Sequence, residues 1–397
     1  MLGINNERMF KLNRSLFLFN LFKFKQATVS EIASSMELSV PAVSRITKEL
    51  ILDKKIELLE SNTASRGRKA GLIKFVQDDC LVICLDVRPS SINSVLSNLF
   101  GQVIEGEIAH KVDFYNKDVL IDSLISVILE YKKAHEGANF RCAIAMHGQV
   151  DSVNGVSLMM PQLKWHEPVY VKYIIEKKLN IPVLVDNDCV MRCLAQKWHL
   201  LRQGILNRDF CTLNLDYGIG SSFIINNEVY RGSLFGSGQI GHTIIDPNGR
   251  KCSCGRNGCL ETEASINAIK RTVHESLMSI GEANSNNNIS FNDIVKMYLD
   301  NDRVVRSLVN STARRIGIAI YNMLNVLNIN HIYLYGRTCA FGDDFIKIIQ
   351  NEVLFNPFDS QQQVKKVATS IEYGTLSISE QIAGISFLFG ELLYKQE

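Results

Sequence analysis

The stretch Gly238-Gln239-Ile240-Gly241-His242, and beyond it Cys252-Ser253-Cys254-Gly255-Arg256-Asn257-Gly258-Cys259-Leu260-Glu261, decides how the rest of this chain is read. It sets one imidazole and three thiols at the spacing His-x9-Cys-x-Cys-x4-Cys. Three thiolates and an imidazole make a complete tetrahedral zinc set with no position left for water, so His242, Cys252, Cys254 and Cys259 are expected to hold a structural Zn2+. Gly255 and Gly258 let the backbone turn tightly enough for Cys254 and Cys259 to reach one ion. The other cysteines, Cys80, Cys84, Cys142, Cys189, Cys193, Cys211 and Cys339, stand in apolar or helix-like runs and read as core thiols. Ten cysteines in 397 residues are too dilute for a disulfide scaffold, and three of them crowd together, which points to metal binding in a reducing compartment.

Composition outside this motif is that of an ordinary globular chain: 46% hydrophobic and 21% charged. That excludes a largely disordered, collagenous or coiled-coil protein. The length corresponds to two or three domains at about 150 residues each. The longest apolar run, Leu16 to Phe24, is broken by Asn20 and Lys23, well short of the ~18 residues of a membrane span. The N-terminal segment has no uninterrupted apolar region followed by a small-residue cleavage site, so a cytoplasmic protein is expected. The net charge of +2 hides an asymmetry, because residues 1–75 hold 13 Lys/Arg against 7 Asp/Glu and the remainder is left at −4. A small basic head on a mildly acidic body is the arrangement expected of a head that meets a polyanion.

Within that head, Val29, Ile32, Ala33 and Met36 fall on one face of a short helix, with Thr28 and Glu31 forming a capping box. Ser39 can cap a second helix whose first turn tolerates Pro41. Val43, Ile46 and Leu50 share its inner face, leaving Pro41, Ala42, Ser44, Arg45 and Lys48 to face outward. Two short helices joined by a tight turn, the second with small, polar and basic residues at its outer N-terminal end, predict a helix-turn-helix that reads a DNA major groove. Arg45 is placed to donate to guanine, and Ser44 or Thr47 to meet a base or phosphate. Residues 55–60 and 71–76 alternate as strands of a wing, and the loop between them ends in Arg66, Arg68 and Lys69, cations suited to phosphate or minor-groove contact.

From Leu213-Asn214-Leu215-Asp216-Tyr217-Gly218-Ile219-Gly220 through Asn227, Arg231-Gly232 and the glycine-histidine segment to Cys259-Leu260-Glu261, the chain resembles the ROK family of repressors, open reading frames and sugar kinases. Ala145-Met146-His147-Gly148-Gln149-Val150-Asp151 is similar to the family's Pro-Gly-x-Val-Asp turn, and Val185-Asp186-Asn187-Asp188 to its sugar-binding strand end. Downstream, Asn325 to Asn328, Ile332 to Gly336 and Gln381 to Ile385 continue the match. The resemblance implies an α/β chain: an N-terminal winged helix-turn-helix, then a two-lobed actin-like (ribonuclease H-like) ATPase/sugar kinase fold with sugar bound near its hinge. The domains expected from it are a DNA-binding head over 1–75, a first lobe over 76–186 completed by the C-terminal helix 380–397, and a second lobe over 187–379 carrying the zinc site and an oligomerisation surface.

The same resemblance assigns sugar contacts to Asn187, Asp188, Gln239, His242 and Glu261, with zinc tying the loop so that Glu261 is held in place. Asp188 occupies the family's catalytic-base position. The phosphate apparatus of the family's kinases is altered: their Asp-x-Gly-Gly-Thr hairpin is here Asp86-Val87-Arg88-Pro89-Ser90, Tyr217 replaces a Thr that faces phosphate, and the adenosine-side Gly-Gly appears as the bulkier Tyr335-Gly336-Arg337. Gln239 replaces a sugar-site Glu and Gln162 an Asn. The expectation is therefore a non-enzymatic, homodimeric or homotetrameric regulator, a repressor of carbohydrate genes that binds operator DNA and senses a sugar or sugar phosphate. The alternatives are an ATP-dependent hexose kinase, and a regulator with a vestigial pocket controlled by a protein partner.

Overall fold

Thr28 ends an extended tripeptide and starts a helix. Its Oγ1 accepts the Glu31 backbone N–H at 3.2 Å while Glu31 Oε2 accepts the Thr28 N–H at 2.7 Å, the expected capping box. The computed structural model describes residues 6–59, 71–76, 80–160, 167–205, 208–279, 289–354 and 369–395. In the head these form α1 (Asn6–Phe24), β1 (Gln26–Thr28), α2 (Val29–Ser35), α3 (Val40–Leu52), β2 (Ile56–Leu59) and β3 (Leu72–Phe75), with the strands in the order β1-β3-β2. Ser39 caps α3, and Val43, Ile46 and Leu50 are buried beneath it. The wing is thus three-stranded, because β1 adds to β3 with Gln26 opposite Lys74.

Two compact units follow from the contacts, residues 1–204 with 376–397, and residues 205–375. In the first unit the head is joined to β4 (Leu81–Arg88), β5 (Ser91–Asn98), β6 (Val103–Lys111), α4 (Lys117–Ala134), β7 (Phe140–Met146), β8 (Gln149–Asp151), β9 (Val156–Met159), α5 (Val171–Leu179), β10 (Val183–Asn187) and α6 (Asp188–Arg202). The five-stranded sheet runs β10-β7-β4-β5-β6, parallel across β10, β7 and β4. Asp86, Ala145 and Asp186 share one register row, so the residues just beyond them leave the carboxyl edge of the parallel strands together. That edge is where open α/β sheets take ligands.

The second unit contains β11 (Phe210–Leu215), β12 (Ile219–Ile225), β13 (Glu228–Tyr230), α7 (Leu260–Ala264), α8 (Ile266–Ser279), α9 (Phe291–Leu299), α10 (Arg303–Leu327), β14 (His331–Tyr335), α11 (Asp343–Leu354) and β15 (Ser370–Tyr373). Its sheet runs β13-β12-β11-β14-β15 and packs on the apolar faces of α8, α10 and α11. The chain then returns to the first unit as α12 (Ile378–Ala383) and α13 (Phe387–Lys395).

Two sequence expectations change. The boundary placed at 186/187 falls at 204/205, and the return begins at Leu376 rather than at 380. The cause is α6, which buries twelve of its fifteen residues within the first unit. The head packs on the rest of its unit: Phe22 of α1 lies 4.6 Å from Trp198 of α6, 4.9 Å from Phe100 and 5.8 Å from Tyr394 of α13, ring centre to ring centre. Gly390 floors this aromatic socket: a Cβ there would stand 2.3 Å from Phe22 Cζ and 2.6 Å from the Leu99 carbonyl. Gly390→Ala is therefore expected to lower stability by roughly 1–3 kcal/mol through overpacking, read as a fall in melting temperature, whereas Gly137→Ala, with open space around it, tests only its left-handed backbone.

Candidate functional site

In the head, Pro41, Ala42, Arg45 and Lys48 are exposed on α3 and Ser44 is half-buried, so these candidate DNA contacts share an accessible face. Arg45 carries its guanidinium 5.1 Å over the Phe10 ring of α1. Arg14 of the same helix clamps α3 through Asp53 at 2.7 Å and Glu49 at 3.5 Å. Thr47 corrects the sequence reading: it is 5% exposed and its hydroxyl donates to the Val43 carbonyl at 2.9 Å, so it faces the core and no base or phosphate. Arg66, Arg68 and Lys69 of the wing lie outside the described residues, as does Gln162.

At the carboxyl edge of β4, β7 and β10, burial forces charges into pairs. Asn187 caps α6, its Oδ1 accepting the Cys189 N–H at 2.7 Å and its Nδ2 donating to the Gly148 carbonyl at 2.6 Å. Arg192, one turn along α6, donates Nη1 to the Asp188 carboxylate at 3.2 Å and to its carbonyl at 2.8 Å, while its Nη2 stands 4.0 Å from Asp86. Asp86 is fully buried, and Arg88 holds its Oδ2 at 2.8 Å. His147 Nδ1 is 3.9 Å from the same Asp188 carboxylate. Burial alone raises the Asp188 carboxyl, but hydrogen bonding and charge from His147 and the Arg192 guanidinium outweigh it and hold it well below the usual carboxylate range. Asp188 therefore stays ionised, an acceptor for hydroxyl groups and a poor acceptor of protons.

In the second unit the four candidate metal ligands converge. The ligand atoms of His242, Cys252, Cys254 and Cys259 all lie within 4.8 Å of one another, with Cys252 Sγ 3.6 Å from His242 Nδ1 and Cys254 Sγ 3.5 Å from Cys259 Sγ. Bonds of ~2.3 Å from sulfur to zinc set tetrahedral ligands roughly 3.8 Å apart, so the donor set and its spacing fit that ion. The loop is tied by Cys252 N–H to the Arg256 carbonyl at 2.7 Å and by Gly258 N–H to the Arg250 carbonyl at 2.8 Å. Gly258 is required at φ +68°, where a Cβ would strike the Asp246 carbonyl oxygen at 1.5 Å. Two residues past Cys259, Glu261 Oε2 accepts the Ile219 N–H at 3.0 Å, and Gln239 is exposed beside the short helical turn that carries His242.

In the same unit, Arg337 forks onto Asp216 at 2.8 and 3.0 Å and lies 4.3 Å over the Tyr217 ring. A family model for the ROK family matches residues 82–370. The chain belongs to the ROK family. It is 40% identical over 396 residues, 99% of each chain, to the Escherichia coli K12 protein YphH. It is 27% identical to the xylose repressor of Caldicellulosiruptor bescii over 92% of this chain and 93% of that one. A solved ROK-family transcriptional regulator, described as a homologue of E. coli Mlc, superposes with a TM-score of 0.80 at 23% identity over 97% of both chains. The fold is thus the expected one, a helix-turn-helix head ahead of an actin-like ROK body.

Sequence reading named Asn187, Asp188, Gln239, His242 and Glu261 but missed Arg192 and the partnership of Asp86 with Arg88. The i, i+4 spacing of Asp188 and Arg192 on one helix was a usable signal; the Asp216–Arg337 pair, separated by 121 residues, offered none. Asp188→Asn is expected to cost about 1–3 kcal/mol by leaving buried Arg192 one charged acceptor short. Because the folded-state pKa is depressed, that loss should be constant above about pH 4, near the unfolded carboxyl value, and should shrink as pH falls towards the depressed folded value. Urea titrations of both proteins at pH 7 and pH 3 measure it.

Proposed function

We propose that this chain is a DNA-binding transcriptional repressor of carbohydrate uptake or catabolism genes, with a ROK body that senses a sugar or sugar phosphate. The observation that carries the reading is that one chain joins an accessible α3 face to an ROK body in which Asp188 is paired with Arg192 at the carboxyl edge of the sheet. Alignment with a xylose repressor over 92% of this chain supports the same reading. Asn187 and Asp188 in the first unit, and Gln239, His242 and Glu261 in the second, are assigned to effector recognition. Pro41, Ala42, Ser44, Arg45 and Lys48, with Arg66, Arg68 and Lys69 of the wing, are assigned to operator DNA. A helix-turn-helix reads paired half-sites, which favours a homodimer or a dimer of dimers in the cytoplasm.

The metal is assigned as zinc and its role as structural, since four protein donors leave no position for a reacting water. Phosphoryl transfer is not assigned. A general base works best with a pKa near the operating pH, and His147 and Arg192 lower that of Asp188. Arg337 also ties the Asp216-Tyr217 turn through the Asp216 carboxylate and the Tyr217 ring, adding a cation where the sequence already departs from the family's kinases.

Scanning fluorimetry of zinc-loaded protein against pentoses, hexoses, amino sugars and their phosphates, with and without Mg-ATP, tests the reading. At a hundred times its dissociation constant a sugar ligand adds about 2.7 kcal/mol of apparent stability, and one sugar is expected to do so without help from ATP. Chelation is expected to lower the melting temperature and abolish the sugar response, because Glu261 follows directly on Cys259-Leu260. A shift with ATP and a phosphorylated product would establish a kinase instead; silence with every sugar would turn the search to a protein partner.

A further inference from the structure

Helix α6 carries ligand-edge residues at one end and part of the head's seat at the other. Asn187, Asp188 and Arg192 belong to its N-terminal end. Ten residues beyond Asp188, about 15 Å along the axis, Trp198 meets Phe22 of α1 at 4.6 Å and stacks on Phe387 at 5.1 Å. Between the two ends the helix has no slack, since a Cβ on Gly384 would stand 2.5 Å from the Met191 carbonyl oxygen and 2.6 Å from Ala195 Cβ. The far end is pinned by charge: Lys197 Nζ meets Glu391 Oε1 at 2.6 Å, both nearly excluded from water, and Lys395 takes the other oxygen at 2.6 Å. Arg202 lies 5.6 Å over the Phe387 ring. One group in this joint is left wanting. Among the described residues buried Trp198 Nε1 has no acceptor, and an orphaned donor favours any rearrangement that supplies one.

We propose that α6 transmits occupancy of the ligand edge to the DNA-binding head, with Trp198 and Phe22 as the positioning residues. The proposal rests on the sugar-responsive repressor reading. A hydroxyl that competes with Arg192 for Asp188 alters the tie between α6 and Asp86. The helix then moves as a body, Trp198 shifts against Phe22, and α1, clamped to α3 through Arg14, carries the DNA-reading helix with it. The joint is described within one compact unit, so the coupling needs no contact with the second.

The test needs neither the sugar nor a natural operator. A duplex selected from a random library by the wild-type protein is titrated with full-length variants carrying Trp165→Phe, which leaves Trp198 as the one tryptophan of the two in the sequence. Asp188→Asn, which perturbs the ligand edge, is expected to change duplex affinity about fivefold or more, the ordinary scale of inter-site coupling, and to shift the Trp198 emission maximum. In the Phe22→Leu background, duplex binding is expected to persist while the Asp188→Asn effect shrinks to about twofold, the scatter of independent sites. Phe19→Leu, at the half-buried edge of the same cluster, replaces Phe22→Leu if circular dichroism shows that variant unfolded. An equal Asp188→Asn effect in both backgrounds, or an unmoved Trp198 emission, overturns the proposal. If the wild-type protein selects no duplex, the repressor reading fails on its own. The emission then decides the coupling: a shift that Phe22→Leu abolishes supports it, and any other result overturns it.

Discussion

Helix α6 puts two cations, Arg192 and Lys197, almost wholly out of water, and the arrangement of the first unit follows from how those charges are met. Arg192 is 7% exposed and Lys197 2%. An isolated charge in such surroundings is prohibitively costly, while a paired and hydrogen-bonded one is tolerated. Arg192 must therefore face Asp188 and Asp86, which fixes the helix against β4, and Lys197 must face Glu391, which fixes it against α13. Apolar contacts alone would permit α6 to slide or turn freely; charges that must keep these acceptors limit the arrangements open to it. The C-terminal return from Leu376 belongs to the first unit for the same reason.

The second unit depends on a different constraint, the crowding of backbone around the cysteine loop. Gly258 approaches the Asp246 carbonyl where no side chain fits, and Ile245 N–H donates to the Gly258 carbonyl at 2.9 Å. That crossing brings Cys259 to the start of α7 and so places Glu261 where its carboxylate reaches the Ile219 N–H of β12. A metal in the four-donor cluster would stiffen the same crossing. The link from ligand set to Glu261 thus runs through two residues of helix and one hydrogen bond, short enough for loss of the ion to be felt at the carboxylate.

How much of this was legible depends on whether the signal was local. Thr28–Glu31 and Ser39 are caps whose geometry is written in three or four residues, and the cysteine spacing encodes its own convergence. Helix α1 was not read, because Phe17, Leu18, Leu21 and Phe22 are buried while Met9, Leu12 and Leu16 are exposed, leaving no single apolar stripe with a 3.6-residue period. It is a helix held between head and body, and only the body explains its aromatic side. The lobe boundary was set at a motif, Asn187-Asp188, whereas the structure sets it where the buried charges of α6 end. Thr47 looked like a DNA contact by proximity to Arg45, yet it falls on the inner side of α3 with Val43 and Leu50.

The neighbours of Asp188 set its chemistry. A carboxylate can take a proton from a hydroxyl only if its own proton affinity is adequate, and each neighbouring cation lowers that affinity. With Arg192 bound and His147 alongside, Asp188 is strong as a hydrogen-bond acceptor and weak as a base. Those properties suit the recognition role proposed for it. Recognition alone does not regulate, however, since a ligand shifts an equilibrium only by its differential affinity for two arrangements. In the proposed coupling the difference would come through Arg192, which a hydroxyl at Asp188 would free from its own-helix partner and whose other contact, Asp86 at 4.0 Å, joins α6 to β4. Whatever free energy the competition releases is felt wherever that helix is in contact, and one of those places is the aromatic socket that receives α1.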